Sequence, residues 1–262
     1  MEKQQGIRIT LIGAGNVANH LSVALLRSGN QIVQVFSRTM KAATKLADKV
    51  NASPSNQISE ITDECDLYIF AVSDSVLPLL AKQMNIGSRM AVHTSGSIGM
   101  NVFQDFAENY GVIYPLQTFS KDRLLDFKKV PLIVEGNNSE IENSLMFLSQ
   151  QISDHVLRLG SEDRQYLHLA AVFSCNFTNH LYHLASEILE KKGIPFDLLI
   201  PLLTETAEKV KTVPPAMAQT GPAVRNDQNV IKKHLDLLSF SPGSVELYEK
   251  LSQSIYHHSH IE

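Results

Sequence analysis

Ile7-Arg8-Ile9-Thr10-Leu11-Ile12-Gly13-Ala14-Gly15-Asn16-Val17-Ala18 is an apolar, β-branched run that breaks into a G-x-G-x-x-A turn. Beyond it, Val17, Leu21, Ala24 and Leu25 recur at helical spacing up to Arg27, and Ser28-Gly29-Asn30 ends the period. A glycine turn between a strand and a helix is the context in which this otherwise weak pattern becomes specific for a dinucleotide. The first glycine permits the tight turn, the second lets a pyrophosphate approach the backbone, and Ala18 allows the helix to sit close to the strand. The helix start adds unpaired N–H groups for the phosphates. Gly13, Ala14, Gly15, Asn16 and Val17 are the expected pyrophosphate-binding residues.

The alternation continues outward from this turn. Gln31 to Phe36 reads as a strand, Thr39 to Lys49 as a helix, and Leu67-Tyr-Ile-Phe-Ala-Val72 as a strand apolar enough for burial on both faces. Asp74 to Met84 reads as helix, Met90-Ala-Val-His93 as strand, Ile98 to Asn109 as helix, and Gly111-Val-Ile-Tyr114 and Pro131-Leu-Ile-Val134 as strands. Glu140 to Ile152 is a further helix and His155-Val-Leu-Arg158 a last short strand. This predicts an α/β Rossmann domain, doubly wound, with a mostly parallel sheet covered by helices on both faces. Near Gly160 the pattern changes. Glu162 to Lys192 contains neither glycine nor proline, which reads as one very long helix or two abutting ones, and Gly193 is placed to cap its end. Phe196 to Lys211, Asn226 to Leu237 and Ser244 to His257 also read as helical, and Pro214-Pro215 as a break before a short turn. The expected organisation is a dinucleotide-binding domain over 1–160 and an all-α domain over 161–262.

The 262 residues are 44% hydrophobic and 19% charged, with a formal net charge of −4. That balance suits a globular chain with a buried core and gives no electrostatic drive toward nucleic acid or anionic membranes. No apolar run approaches the ~18 residues of a membrane span. Met1-Glu-Lys-Gln-Gln-Gly6 leads directly into the first strand and does not read as a secretory signal. Cys65 and Cys175 are too few for a disulfide framework and lack metal-ligand spacing. His257, His258 and His260 read as a tail. The expectation is a cytoplasmic protein with reduced thiols and no metal.

The second strand selects the dinucleotide. NAD-binding chains place Asp or Glu about 20 residues past the glycines to bond the ribose hydroxyls. Here no acidic residue lies between Gly13 and Asp48, and the strand ends in Ser37-Arg38-Thr39. A carboxylate would repel a 2′-phosphate, whereas an arginine flanked by two hydroxyls would bond it. The predicted cofactor is NADP(H). Two later strand ends should also face it: Ala71-Val72-Ser73, with Ser73 or Asp74 capping the next helix, and His93-Thr94-Ser95 nearer the nicotinamide. His93 reads equally well as a structural strand-end histidine.

Four separated motifs extend the reading: His93-Thr-Ser-Gly-Ser97, Tyr114-Pro-Leu-Gln-Thr-Phe119, Leu167-His-Leu-Ala-Ala171 leading to Ser174-Cys-Asn176, and Thr220-Gly-Pro-Ala-Val-Arg225-Asn-Asp227 followed by His234-Leu235. The N-terminal half resembles the Rossmann domain of pyrroline-5-carboxylate reductases, NADP-dependent F420 oxidoreductases and 6-phosphogluconate dehydrogenase-like enzymes. Over almost the whole chain the motifs resemble oxidoreductases that join this domain to a helical domain of unknown function, DUF2520. The resemblance implies NADP(H) use and a dimeric, 6-phosphogluconate dehydrogenase C-terminal-like helical domain, without supplying a substrate. Two positions depart from the pattern: Tyr114 stands where these proteins usually have histidine, and Asn226 where they usually have glycine.

Reduction of C=O or C=N needs a proton donor and groups that orient the substrate. Ser95 is placed to hydrogen-bond a substrate oxygen or the nicotinamide amide, and His168 has the pKa range for acid–base work. Asn176, eight residues on, falls ~80° around a regular helix from His168. These three are the expected catalytic residues. Tyr114, Gln117, Arg225 and Asp227 are the expected substrate contacts, with Arg225 suited to clamp a carboxylate. The β-hydroxyacid dehydrogenase arrangement, lysine and asparagine four apart, is missing: Val172 occupies the lysine position. The expected activity is hydride transfer to or from a small polar carbonyl or imine at a cleft between the domains of a homodimer. Two rival readings stand beside it, a non-catalytic NADP(H) sensor and a pyrroline-5-carboxylate reductase-like enzyme.

Overall fold

The computed structural model describes residues 6–260 apart from 85, 121, 122 and 124. The leader reading of Met1–Gln5 lies outside these residues. The chain divides into two compact units, Met1–Cys175 and Asn176–Glu262. The compositional change at Gly160 precedes this division because the helix that follows it is tied to the sheet by the buried side chain of Arg164.

The first unit is built on eight strands: β1 (Arg8–Ile12), β2 (Gln31–Phe36), β3 (Ser53–Ser55), β4 (Leu67–Phe70), β5 (Gly87–His93), β6 (Ala107–Pro115), β7 (Leu132–Gly136) and β8 (Val156–Arg158). Their order across the sheet is β3-β2-β1-β4-β5-β6-β7-β8. All pairings are parallel except β6 with β7. Helices α1 (Asn16–Arg27), α2 (Met40–Val50), α3 (Leu77–Ala81), α4 (Ser139–Gln150) and α5 (Ser161–Ala171) belong to this unit. Alternation along β1 sends Ile9 and Leu11 into a core shared with Leu21, Leu25, Leu46 and Leu145 of α1, α2 and α4. Ile12 turns to the opposite face, where Phe70, Leu77 and Phe103 pack. Both faces are thus covered, as the doubly wound reading requires.

Three local expectations are corrected. The helix expected over Ile98–Asn109 is only a 3₁₀ turn at Met100–Phe103. Ala107 and Asn109 pair instead with Gly87 and Met90, so sheet pairing overrides local helical propensity. The helix expected over Asp74–Met84 shortens to α3, and neither Ser73 nor Asp74 caps it with a side chain. Ser73 contributes its carbonyl, which accepts from Val76 and Leu77 N–H. The short β3 carries Pro54 and no alternation, and it escaped the sequence reading.

The second unit comprises α6 (Thr178–Glu190), α7 (Ile200–Lys209), α8 (Pro215–Ala218), α9 (Gln228–Leu237) and α10 (Pro242–Ser259). Between α5 and α6 the chain winds as a π helix at Val172–Phe177, so the long glycine-free segment is two α-helices with a wider turn between them. No helix among the described residues is long and apolar enough to cross a membrane.

His93 closes β5 with no exposed surface, and its Nδ1 accepts the Ser95 N–H at 3.2 Å. Burial, reinforced by the nearby Arg164 charge and only partly opposed by the Gly99 carbonyl and Asp74, lowers its pKa from 6.5 to about 3. His93 is therefore neutral in the fold and protonated in the unfolded chain at mildly acidic pH. The stability this contributes is complete above pH 6.5 and is lost as the pH falls from 6.5 toward about 3. Denaturant unfolding at a series of pH values should show a loss of up to about 1.4 kcal/mol per pH unit from this group. His93→Asn, which retains an acceptor for Ser95, should show a correspondingly flatter profile, and an unchanged slope would contradict the assignment.

Candidate active site

The strand order reverses direction between β1 and β4, and a ligand crevice is expected beyond the carboxyl ends of strands at such a point. The register brings the next residues together: Gly13 N donates to Phe36 O at 2.8 Å, Ala71 N to Ile12 O at 2.8 Å and Thr94 N to Phe70 O at 3.1 Å. The turns after β1, β2, β4 and β5 open on one cavity of about 1110 Å³. That volume lies just above the usual range of about 300–1,000 Å³ for small-molecule sites.

Gly13 has φ +118°, and a Cβ there would sit 2.3 Å from the Ala71 carbonyl. The turn therefore needs glycine both for its dihedral and for its contact with β4. At Gly15 an added Cβ would meet no protein atom within 4 Å, so that position opens onto the cavity. No side chain caps the start of α1, which leaves its first N–H groups facing the same space. Ala14, Asn16 and Val17 complete this wall. An open cradle with uncapped N–H donors fits a pyrophosphate.

Ser37, Arg38 and Thr39 line the side beyond β2, and the Thr39 side chain also caps α2 by accepting from Ala42 N–H. Asn56, Gln57 and Ser59 join them from the loop after β3. These three were missed, because only the pairing of β3 with β2 brings them there. Asp74 lines the cavity too, and its carboxylate accepts a hydrogen bond from Ser97 Oγ. One arginine, several hydroxyls and amides, and no carboxylate at the end of β2 suit a phosphorylated ribose.

Toward β5 and β6 the lining consists of Thr94, Ser95, Gly96, Tyr114 and His168. Tyr114 ends β6 and His168 lies on α5. The tyrosine hydroxyl and His168 Nδ1 are 2.9 Å apart, with the rings edge-on at 79°. Burial raises the Tyr114 pKa, so the phenol keeps its proton. Gly96 is required here, since a Cβ would come within 2.7 Å of the His168 ring and 2.8 Å of Tyr114. Ser95 Oγ accepts from Ser97 and Ile98 N–H, both at 3.1 Å, which fixes its rotamer.

The remaining candidates lie elsewhere. His93 is sealed beneath the cavity rather than lining it. Gln117 is exposed and its Oε1 accepts the Thr118 N–H at 2.8 Å. Asn176 is exposed in the second unit, and the π turn removes the regular-helix basis for its offset from His168. Arg225 is exposed, and Asp227 caps α9 by accepting from Val230 N–H. Asn226 between them has φ +52°. That conformation explains the departure from glycine, because asparagine tolerates the left-handed region better than other side chains. Among the described residues no cluster of histidine, cysteine or carboxylate groups could hold a metal ion.

No curated protein matches the sequence. A Rossmann-like domain family matches residues 2–118, and the domain of unknown function DUF2520 matches residues 130–255. Among solved structures, the "putative NADP oxidoreductase" BF3122 from Bacteroides fragilis aligns with a TM-score of 0.93 at 46% identity, over 97% of this chain and 99% of that one. Protein TM1727 from Thermotoga maritima aligns with a TM-score of 0.80 at 21% identity, over 97% of this chain and 100% of that one. An imine reductase from Myxococcus stipitatus in complex with NADP+ aligns with a TM-score of 0.64 at 17% identity, over 95% and 92% of the two chains. The last two likenesses are of fold alone. The first is close along nearly its full length, and this chain belongs to the same family as the Bacteroides fragilis protein, a Rossmann-like domain followed by a DUF2520 domain.

Proposed function

We propose that this chain is an NADP(H)-dependent oxidoreductase acting on a small polar carbonyl or imine. One observation carries the reading: a single cavity presents the glycine turn, the Ser37-Arg38-Thr39 ending and the hydrogen-bonded Tyr114–His168 pair. The sheet order sets the first two toward β2 and β1 and the last toward β5 and β6. NADPH bound along that row would supply hydride. The Gly13–Val17 turn would hold its pyrophosphate, and Ser37, Arg38 and Thr39 its 2′-phosphate. Ser95 would hydrogen-bond the polar atom of the substrate or the carboxamide beside it. His168, oriented through Nδ1 by Tyr114, would in its imidazolium form give the Nε2 proton to the oxygen or nitrogen that gains electron density and be left as the neutral imidazole. The NADP+ complex of the imine reductase and the description of the Bacteroides protein support the cofactor assignment. A purely sensory role would give the half-buried Tyr114–His168 bond no task, and no observation singles out a pyrroline-5-carboxylate substrate.

The second unit supports a homodimer. Among its described residues only Ala223 and Leu238 are buried, while Leu198, Leu202, Met217 and Leu237 are between 61% and 77% exposed. Helices with so little buried apolar surface lack a core of their own, and a second copy packing on them would provide one.

Fluorescence titration should show tighter binding of NADPH than of NADH. Arg38→Ala should weaken NADPH binding about 10- to 100-fold, the worth of one or two charge-assisted hydrogen bonds, and leave NADH nearly unchanged. Equal affinity for the two nucleotides would refute the assignment. On a panel of ketones, aldehydes and imines, His168→Ala should cut turnover about 100-fold or more without altering NADPH affinity. Full turnover in that variant would exclude His168 as the proton donor.

A further inference from the structure

Arg164 is the largest fully buried side chain of the described residues, and nothing in the reaction uses it directly. We infer that Arg164, held by Glu135, is a positioning residue that sets the Ser95–Ile98 loop and the Tyr114–His168 pair in register with each other. Its Nη1 donates to the Glu135 carboxylate on β7. Its Nη2 donates to the Ile98 carbonyl at 2.5 Å and to Ser161 Oγ at 3.3 Å. The Ser161 hydroxyl donates to Glu135 at 2.7 Å, and its Oγ accepts the Met100 N–H at 3.1 Å. The Ser161 N–H also donates to Glu135, at 2.8 Å. One buried cluster therefore grips β7, the start of α5 and the far end of the loop after β5.

The near end of that loop is held by His93, which accepts the Ser95 N–H. Ser95 and Gly96 are thus pinned from both sides. Arg164 and His168 stand four apart on α5 and share a face. Gly96 touches the His168 ring so closely that it cannot carry a Cβ. A shift of the loop or the helix by a fraction of an ångström would open the 2.9 Å Tyr114–His168 bond. The guanidinium charge also opposes the burial that raises the Tyr114 pKa, so it acts on the pair electrostatically as well.

Stability alone gives a poor reason for this arrangement. Buried ion pairs are often replaceable by apolar side chains without loss, and Arg164 Nε lacks a partner among the described residues. What an apolar pair, or a lysine, cannot do is hold Glu135 and the Ile98 carbonyl together, which takes the forked head of arginine.

The test uses the full chain and the imidazole nitrogen resonances of His168, identified by their loss in His168→Gln. Tyr114→Phe gives the reference spectrum for a broken bond at Nδ1. Arg164→Lys keeps a positive charge beside Glu135, and it should fold and bind NADPH as the parent does. Its His168 signals should nonetheless move to, or broaden toward, the Tyr114→Phe positions. If Arg164→Lys does not fold, the double variant Arg164→Met with Glu135→Met, which removes both buried charges, should show the same displacement. Parental His168 signals in whichever variant folds, with only the melting temperature changed, would overturn the inference.

Discussion

A parallel sheet ends its strands on one side, and here the strand order turns back on itself between β1 and β4. That constraint determines where the polar turns meet. The loops after β1 and β4 leave in opposite directions across the sheet and cannot fill the gap between them, so a crevice is left over the strand ends. The glycine turn, the basic ending of β2 and the hydroxyl-rich ending of β5 are far apart in sequence. They become neighbours because hydrogen bonds such as Gly13 N to Phe36 O and Thr94 N to Phe70 O bring the strand ends level. Gly13 is the tightest of the glycines lining the crevice, since its positive φ and its contact with the Ala71 carbonyl both exclude a side chain.

The half of the cavity lined by the glycine turn and Ser37–Thr39 was legible in the sequence for a physical reason. Backbone donors, a dihedral open only to glycine, and an arginine just past a strand are all local features. The half lined by Tyr114 and His168 depends on contacts across the fold. Tyr114 and His168 are 54 positions apart, and only the pairing of β6 with β5 and the docking of α5 bring them to hydrogen-bonding distance. The same reason hid Asn56 and Gln57, which reach the cavity through the three-residue β3. His93 shows the converse. Its place in a strand-end motif suggested a ligand, but burial makes it a neutral acceptor that shapes the next turn. The helix expected over 98–109 failed because Ala107 and Asn109 gain more from sheet pairing than from a helix.

The two ends of the cavity are also built differently. At the end beyond β2 Arg38 is exposed, and a bound dianion would itself organise its side chain. At the end beyond β5, order is supplied beforehand by buried polar groups: Arg164, Glu135 and His93 fix the backbone on which Ser95 and Gly96 sit. Preorganisation of this kind belongs where proton transfer has to be aligned, since small displacements there cost more than they do in binding.

On the proposed function, one dinucleotide lies along this row with its reacting end against the Tyr114–His168 pair. A crystal structure of the chain with NADP+ bound tests it most directly. The pyrophosphate should lie on the Gly13–Val17 turn, the 2′-phosphate on Ser37–Thr39, and nicotinamide C4 within about 4 Å of Ser95, Tyr114 or His168. A nicotinamide ring surrounded only by apolar side chains, or a 2′-phosphate pointing away from Arg38 into solvent, would contradict it.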